Sequence, residues 1–279
     1  MKRFNVTGLC VPEKHYMADI SGKITQIKNL VDDECYFTIE KPIKYGKTTI
    51  LKFLEKALIN EYTVISVNFG KFDADCFKSS KQFCHEFIKH VANALTISGY
   101  KIDYIKKWAD YNVTDMLALN YHIGKMCKNK KVVLIIDDAD KNSQNIIFLD
   151  FLSVLRAKFT EKRKKEDYSF HSVIIASVFD IKNIKLPVQT YHSPWNIATN
   201  FNIDMSFNPT EIATMLNEYE TEHHTGMDII AISEEIYNYT AGYPFLVSRI
   251  CQCIDEELNK EWNKEGIQKT YKKIFDVIV

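Results

Sequence analysis

Five short apolar runs punctuate the chain: YFTI (36–39), VISVNF (64–69), VVLII (132–136), SVIIAS (172–177) and, with a weaker signal, NIDMSF (202–207). Each is of strand length and nearly continuous in apolar character. A strand without a polar face has to be covered on both sides, which a parallel sheet achieves with helices on both faces. The stretches between the runs carry helical period. Residues 48–60 bring Ile50, Leu51, Leu54, Ala57 and Leu58 to one face, and 145–157 do the same with Ile146, Leu149, Leu152 and Leu155. Segments 79–98 and 113–127 complete the alternation, which predicts an α/β fold with a parallel, doubly wound sheet. Beyond about residue 208 the strand signals stop. NPTEIATMLNEYE sets an asparagine and a proline ahead of a helical pattern, and further helices are expected at 228–240 and 244–260. Gly242 would cap the first of these and Pro244 would begin the second. The expected organisation is an α/β domain over 1–208, including an N-terminal segment 1–34, and a small helical domain over 209–279.

The first run opens into KPIKYGKTT, residues 41–49. A phosphate-binding loop of the G-x-x-x-x-G-K-[ST] kind aims backbone N–H groups and a helix N-terminus at phosphates. Gly46, Lys47 and Thr48 stand where that geometry needs them, between a strand and an amphipathic helix. Lys41 takes the place of the first glycine, with Pro42 next to it. The nucleotide-contacting stretch is therefore Lys41, Pro42, Ile43, Lys44, Tyr45, Gly46, Lys47, Thr48 and Thr49. Lys47 would neutralise the β and γ phosphates, and the Thr48 hydroxyl would ligate Mg²⁺. VVLIIDDADK supplies the complement: five apolar residues end in Asp137, placed to hold the Mg²⁺ of bound ATP through water, and Asp138, placed to polarise the attacking water. For Asp137 to act there, its strand is expected beside the phosphate loop.

Charge narrows the partners. The chain has 36 basic and 36 acidic residues, so no overall field draws it to nucleic acid or an anionic membrane, although a local basic patch is compatible with that balance. Seven irregularly spaced cysteines suit reduced thiols in a cytoplasmic protein. No apolar run is long enough to span a bilayer. The charge-dense KFTEKRKKED (158–167) reads as a solvated loop between a helix and a strand.

These motifs together resemble a family. FTIEKPIKYGKTTILKFLEKAL is similar to the F-x-x-x-R-P-R-Q-x-G-K-T-x-x-L loop of AAA-like and STAND-type bacterial ATPases, relatives of the AAA+ and origin-recognition ATPases, whose members often depart from the first Walker A glycine. VVLIIDDADK resembles their Walker B segment, V-x-L-L-I-D-E-V-D-K, and TAGYPFLVSRIC the T-x-G-x-P-x-L-V stretch of their helical lid; the likeness runs from about Tyr16 to Ile254. The resemblance implies an ATP-binding module with a lid, Mg²⁺ as cofactor, and coupling of nucleotide state to a protein partner or an effector domain. It further implies Ser177 as a sensor of the γ-phosphate, Arg249 as a second sensor on the lid, and adenine contacts from Tyr16 and Met17. Asp138 stands where the family has a catalytic glutamate. One methylene shorter, it implies slow hydrolysis or binding without turnover. The loop arginines of the family are Lys41 and Ile43 here. Only Arg3, Arg156, Arg163 and Arg249 are arginines. Arg156, read as ending the helix after VVLIIDD, would cap that helix or reach a neighbour's nucleotide. Hydrolysis, a non-hydrolysing nucleotide-gated module and a DNA-binding initiator or loader all stay open, as do ATP against GTP and the oligomeric state.

Other groups look chemical without being so. His85, Glu86 and His90 fall one residue off the HExxH spacing, so the two rings would point apart on a helix. Cys251 and Cys253 read as buried small residues, and His223 and His224 as a polar turn.

Overall fold

The computed structural model describes residues 1–109, 112–142, 145–183, 193–258 and 260–278. Four parallel strands form one sheet: β1 (Tyr36–Glu40), β2 (Thr63–Asn68), β3 (Val132–Asp137) and β4 (Ser172–Ser177), in the order β1-β4-β3-β2. β3 and β4 are buried at every residue, as their unbroken apolar character requires. The acid-bearing strand is thus not the neighbour of the loop-bearing one, contrary to the sequence expectation. β4 lies between them.

The helices are α1 (Ser21–Asp32), α2 (Lys47–Leu58), α3 (Ser80–Ile97), α4 (Ile102–Trp108), α5 (Met116–Cys127), α6 (Ile146–Arg163), α7 (Pro209–His223), α8 (Ile229–Thr240), α9 (Pro244–Glu257) and α10 (Lys264–Ile278). Their starts are legible in local chemistry. Ser79, Asp115, Asn145 and Asp228 cap α3, α5, α6 and α8 through their side chains, and Asn208 with Glu211 forms a full capping box at α7. Pro209 and Pro244 occupy first-turn positions, where a missing N–H costs nothing.

Three expectations are corrected. Residues 202–207 form no strand. The Phe207 N–H donates to the Gly242 carbonyl at 2.8 Å and the Ser206 N–H to Asp204, so this backbone is already satisfied outside a sheet. A lone bridge from Phe37 to Thr199 is what pairs with the free side of β1. Second, α6 continues to Arg163, so six of the ten residues of the charge-dense stretch are helix. Lys158 within it is completely buried, paired with Asp167 and, at 3.1 Å, Glu161. Gly124 makes room for that pair, since a Cβ there would lie 2.8 Å from the Asp167 carboxylate and 3.0 Å from the Lys158 Nζ. Third, Arg156 is an exposed mid-helix residue and not a C-terminal cap.

The chain packs as two compact units: residues 1–25, 42–50 and 203–279 in one, 26–41 and 51–202 in the other. The second holds the sheet and α3 to α6. Its core is aromatic: Phe151 lies 5.1 Å from Phe83 and 5.0 Å from Phe87 between ring centroids, and Phe69 contacts both Phe83 and Phe148. Burying each ring contributes about 2–3 kcal/mol. The first unit packs Phe4 and Tyr16 with Tyr219, Trp262 and the apolar faces of α7 to α9. Among the described residues, no helix is long and apolar enough to cross a membrane.

Candidate functional site: a phosphate loop and an acidic sheet edge

β1 runs into the loop with its sheet pairing intact. The Lys41 N–H donates to the Ser177 carbonyl at 3.1 Å, one residue beyond the strand, and Lys41 is not among the positive-φ residues. This explains how a lysine replaces the first glycine: the position is used as extended backbone and needs no left-handed conformation. The turn is made later, by Lys44 (φ 63°) and Gly46 (φ 77°). From there the chain enters α2, whose first turn presents Lys47, Thr48 and Thr49.

Within the first unit, the loop is gripped by the start of α9. The Tyr243 hydroxyl donates to the Ile43 carbonyl at 2.7 Å, the Tyr45 and Tyr243 rings lie 5.0 Å apart, and the Lys44 ammonium sits 3.8 Å over the Phe245 ring. The Tyr45 hydroxyl also bonds Ser206 at 2.9 Å. Lys47 is buried and its Nζ donates to the Pro42 carbonyl at 3.1 Å, so its charge is folded over its own loop. Thr48 is exposed, whereas the Thr49 Oγ1 accepts from the Cys10 N–H at 3.2 Å. Ile43, where the family pattern has an arginine, is exposed.

A mostly apolar cavity of about 260 Å³ adjoins this loop, lined by Gly46 and Thr49, by Tyr16 and Met17, and by Phe207 and Phe245. Tyr16 and Met17, which the resemblance gives as adenine contacts, thus both line this cavity. The Tyr16 hydroxyl is bound to Glu222 at 2.7 Å and His223 at 3.1 Å, so what Tyr16 offers the cavity is its ring. Burial first, then Glu222, pushes its pKa far up. The sequence reading missed the contribution of residues 5–8 and of Cys10, whose thiol burial raises to about 11. Arg249 does not reach the cavity. Its guanidinium bonds Gln252 at 2.8 Å and Glu257 at 3.4 Å along α9, and Phe245 and Ser248 line the cavity from that helix instead.

In the second unit, polar groups gather at the carboxyl edge of the sheet. Asp137 is buried and accepts from the Asp138 N–H at 3.0 Å. Asp138 is exposed, in the left-handed region at φ 54°, and its Oδ2 accepts from the Asn68 amide at 2.8 Å. Gly70 permits this pairing: a Cβ there would stand 2.8 Å from Asn68 Oδ1 and 3.0 Å from Asp138 Oδ2. Ser177 is buried and donates to Asp140 at 2.7 Å, while the Phe179 N–H donates back to its hydroxyl at 3.0 Å. Asn68 and Asp140 were not picked out from sequence, although both end or follow strands at this edge. At the end of β1, burial and then Asp180 raise the Glu40 pKa.

His85, Glu86 and His90 hold no metal geometry. His90 Nε2 lies 3.1 Å from its own helix's Glu86, and its ring stacks on Phe72 at 4.6 Å. Among the described residues, no group of three or more His, Cys, Asp or Glu side chains could hold a metal ion.

A parallel sheet whose first strand opens into a GKT loop and a helix N-terminus, with an aspartate pair ending another strand, defines a P-loop ATPase domain. The family model of the AAA-like domain matches residues 12–267, and the chain belongs to that family. Among solved structures, a Walker-type ATPase of Pyrococcus abyssi superposes with a TM-score of 0.60 at 10% identity, covering 99% of this chain and 76% of that one. Cdc6p of Pyrobaculum aerophilum superposes with a TM-score of 0.50 at 15% identity, covering 96% of this chain and 70% of that one. At such identities these likenesses show the fold alone. No curated protein sequence matches the chain.

Proposed function

We propose that the chain binds ATP with Mg²⁺ and hydrolyses it slowly, passing the state of the nucleotide to a protein partner or effector domain through its C-terminal helices. The observation that carries this reading is the coincidence, within one unit, of the GKT helix start, a glycine turn and an apolar cavity of base size. In this reading the base enters the cavity against Tyr16, Met17 and Phe207. Its phosphates meet the backbone N–H groups from Lys44 to Thr48 and the N-terminus of α2. Lys47 exchanges the Pro42 carbonyl for phosphate oxygens. Thr48 and Asp137 are the residues that would hold Mg²⁺, which when bound would supply positive charge against the β and γ phosphates. The last strand-like pairing before the loop, Lys41 N–H to the Ser177 carbonyl, lies at the carboxyl edge of the sheet that also carries Asp137 and Asp138.

Asp138 would orient the attacking water, with the Asn68 amide fixing its carboxylate. Ser177 already donates its proton to Asp140, so it would sense the γ-phosphate only by leaving that partner. The grip of Tyr243 on the Ile43 carbonyl offers a direct route from an occupied loop to α9. Arg249, bonded along its own helix, would join the phosphates only by giving up Gln252 and Glu257.

A second reading, nucleotide-gated binding without turnover, draws on the short Asp138 side chain and its engagement by Asn68. Steady-state phosphate release by the purified chain, with Lys47→Ala and Asp138→Glu alongside, separates the two. Turnover abolished by Lys47→Ala supports the ATPase, and turnover arising only in Asp138→Glu supports the non-hydrolysing module.

A further inference from the structure

The opposite, amino-terminal edge of the sheet has no part in the proposed ATPase. Two adjoining hollows of about 520 and 250 Å³ run along it and share Lys130 and Lys131. The first extends past Tyr104 to Lys101, and the second reaches Lys162 and His171. Lys101, Lys130 and Lys131 are exposed. Their segment, residues 101–131, contains seven lysines and three aspartates within a chain of zero formal charge, so the balance is local and not general.

This charge is not neutralised in place. Among the described residues, no carboxylate forms an ion pair with Lys101, Lys107, Lys130 or Lys131. The two acids that line the hollows are already engaged, Glu34 by Lys162 at 2.6 Å and Glu61 by Lys28 at 3.2 Å. Burial, and then the like charge of Lys107, lower the Lys130 pKa. The Lys130 ammonium is instead laid 3.3 Å over the Tyr104 ring, and Lys131 lies 5.8 Å from the Tyr62 ring. The electrostatics of helix C-termini accounts for Lys162 in the last turn of α6 and Lys107 in the last turn of α4, but not for Lys101, Lys130 or Lys131. His171, 6% exposed, adds a buried Nε2 without a hydrogen-bond partner.

We propose that this edge is a binding groove for single-stranded nucleic acid, held through its phosphates. Lysine ammoniums are donors only, and phosphodiester oxygens are acceptors only. Lysine in place of arginine suits point-charge contact with a backbone over bidentate reading of bases. Hollows of this size admit successive nucleotides of one strand better than the flank of a duplex.

The test uses the whole chain without nucleotide: fluorescence anisotropy of labelled 20-mer deoxythymidylate and uridylate strands across a salt series. The comparison is Lys101→Glu/Lys130→Glu/Lys131→Glu against Lys264→Glu/Lys269→Glu/Lys272→Glu, which changes net charge equally on α10, with circular dichroism melts to verify folding. Salt-sensitive binding is expected, with at least about a tenfold loss in the groove variant and a salt slope shallower by about 2. The α10 variant is expected to stay within about threefold of the unaltered chain. Three outcomes overturn the proposal: no binding by the folded chain, equal losses in both variants, or tighter binding of duplex, inorganic polyphosphate or polyglutamate through the same lysines. The last of these arms separates an acidic protein partner from a nucleic acid.

Discussion

Two glycines with nearly the same backbone angle give a matched pair. Gly242 has φ 73° and Gly226 φ 75°, yet a Cβ at Gly242 would lie 1.9 Å from the Phe207 carbonyl oxygen, whereas one at Gly226 would meet nothing within 4 Å. Alanine at either position has to hold a left-handed backbone, at about 1 kcal/mol. At Gly242 the obstacle is backbone and cannot rotate aside. The segment around Phe207 has to withdraw by more than 1 Å, which loses the Phe207 N–H to Gly242 carbonyl bond, worth about 1 kcal/mol, and strains the neighbouring packing by a further ~1–3 kcal/mol. The expected cost is about 3–5 kcal/mol for Gly242→Ala against about 1 for Gly226→Ala. At ~2–4 °C per kcal/mol for a chain of this size, that is a melting shift of roughly 6–20 °C against roughly 2–4 °C. Differential scanning calorimetry of the two variants measures it. Because Phe207 lines the cavity, Gly242→Ala should also weaken ATP binding while Gly226→Ala leaves it alone. Equal melting shifts would refute the reasoning, since the two differ only in what the new methyl meets.

Gly70→Ala should separate chemistry from binding: the methyl displaces Asn68 from Asp138, and phosphate release should fall about tenfold, or ~1.4 kcal/mol in barrier, with ATP affinity held within about twofold. Cys10, with its pKa raised to about 11 from 9.0, should carry about a hundredfold less thiolate than an unperturbed cysteine, so peptide mapping after iodoacetamide at pH 8 should show it among the slow thiols, slower still with ATP present. Burial raises the Asp167 pKa, but the Lys158 hydrogen bond, the Tyr168 N–H and the Lys158 charge together outweigh it and leave the carboxyl below its ordinary value. A depressed folded-state pKa stabilises above the unfolded value, near 4, and that stability is lost as pH falls through the folded value. Lys158→Met should therefore flatten the acid limb of melting temperature against pH below about pH 4, and an unchanged limb would count against the pair.

Much of this fold was legible because its signals are local. Continuous apolar runs marked all four strands, and the helical period from 145, the asparagine and proline at 208–209 and the proline at 244 marked helix starts within a residue or two. What failed depended on partners distant in sequence. The run at 202–207 had strand-like alternation, but the Gly242 carbonyl claimed the Phe207 N–H. The end of α6 lay hidden in a charge-dense stretch because the fully buried Lys158 is tolerable only with Asp167 facing it. The order β1-β4-β3-β2 follows from crossovers that no single segment records, which is why the acid strand was expected next to the loop. Within the candidate site, the GKT start and the acid pair were readable as motifs. Asn68, Asp140 and Gly70 were not, since each matters through a contact with a different strand or turn.

The central claim is that the GKT loop holds a triphosphate. Isothermal titration calorimetry of the whole chain with ATP, with and without Mg²⁺ and beside Lys47→Ala, tests it most directly. One site, tighter with Mg²⁺ and weakened about thirtyfold by loss of a charged phosphate contact worth ~2 kcal/mol, is the predicted result. No heat of binding, or an affinity that Lys47→Ala leaves unchanged, would contradict it.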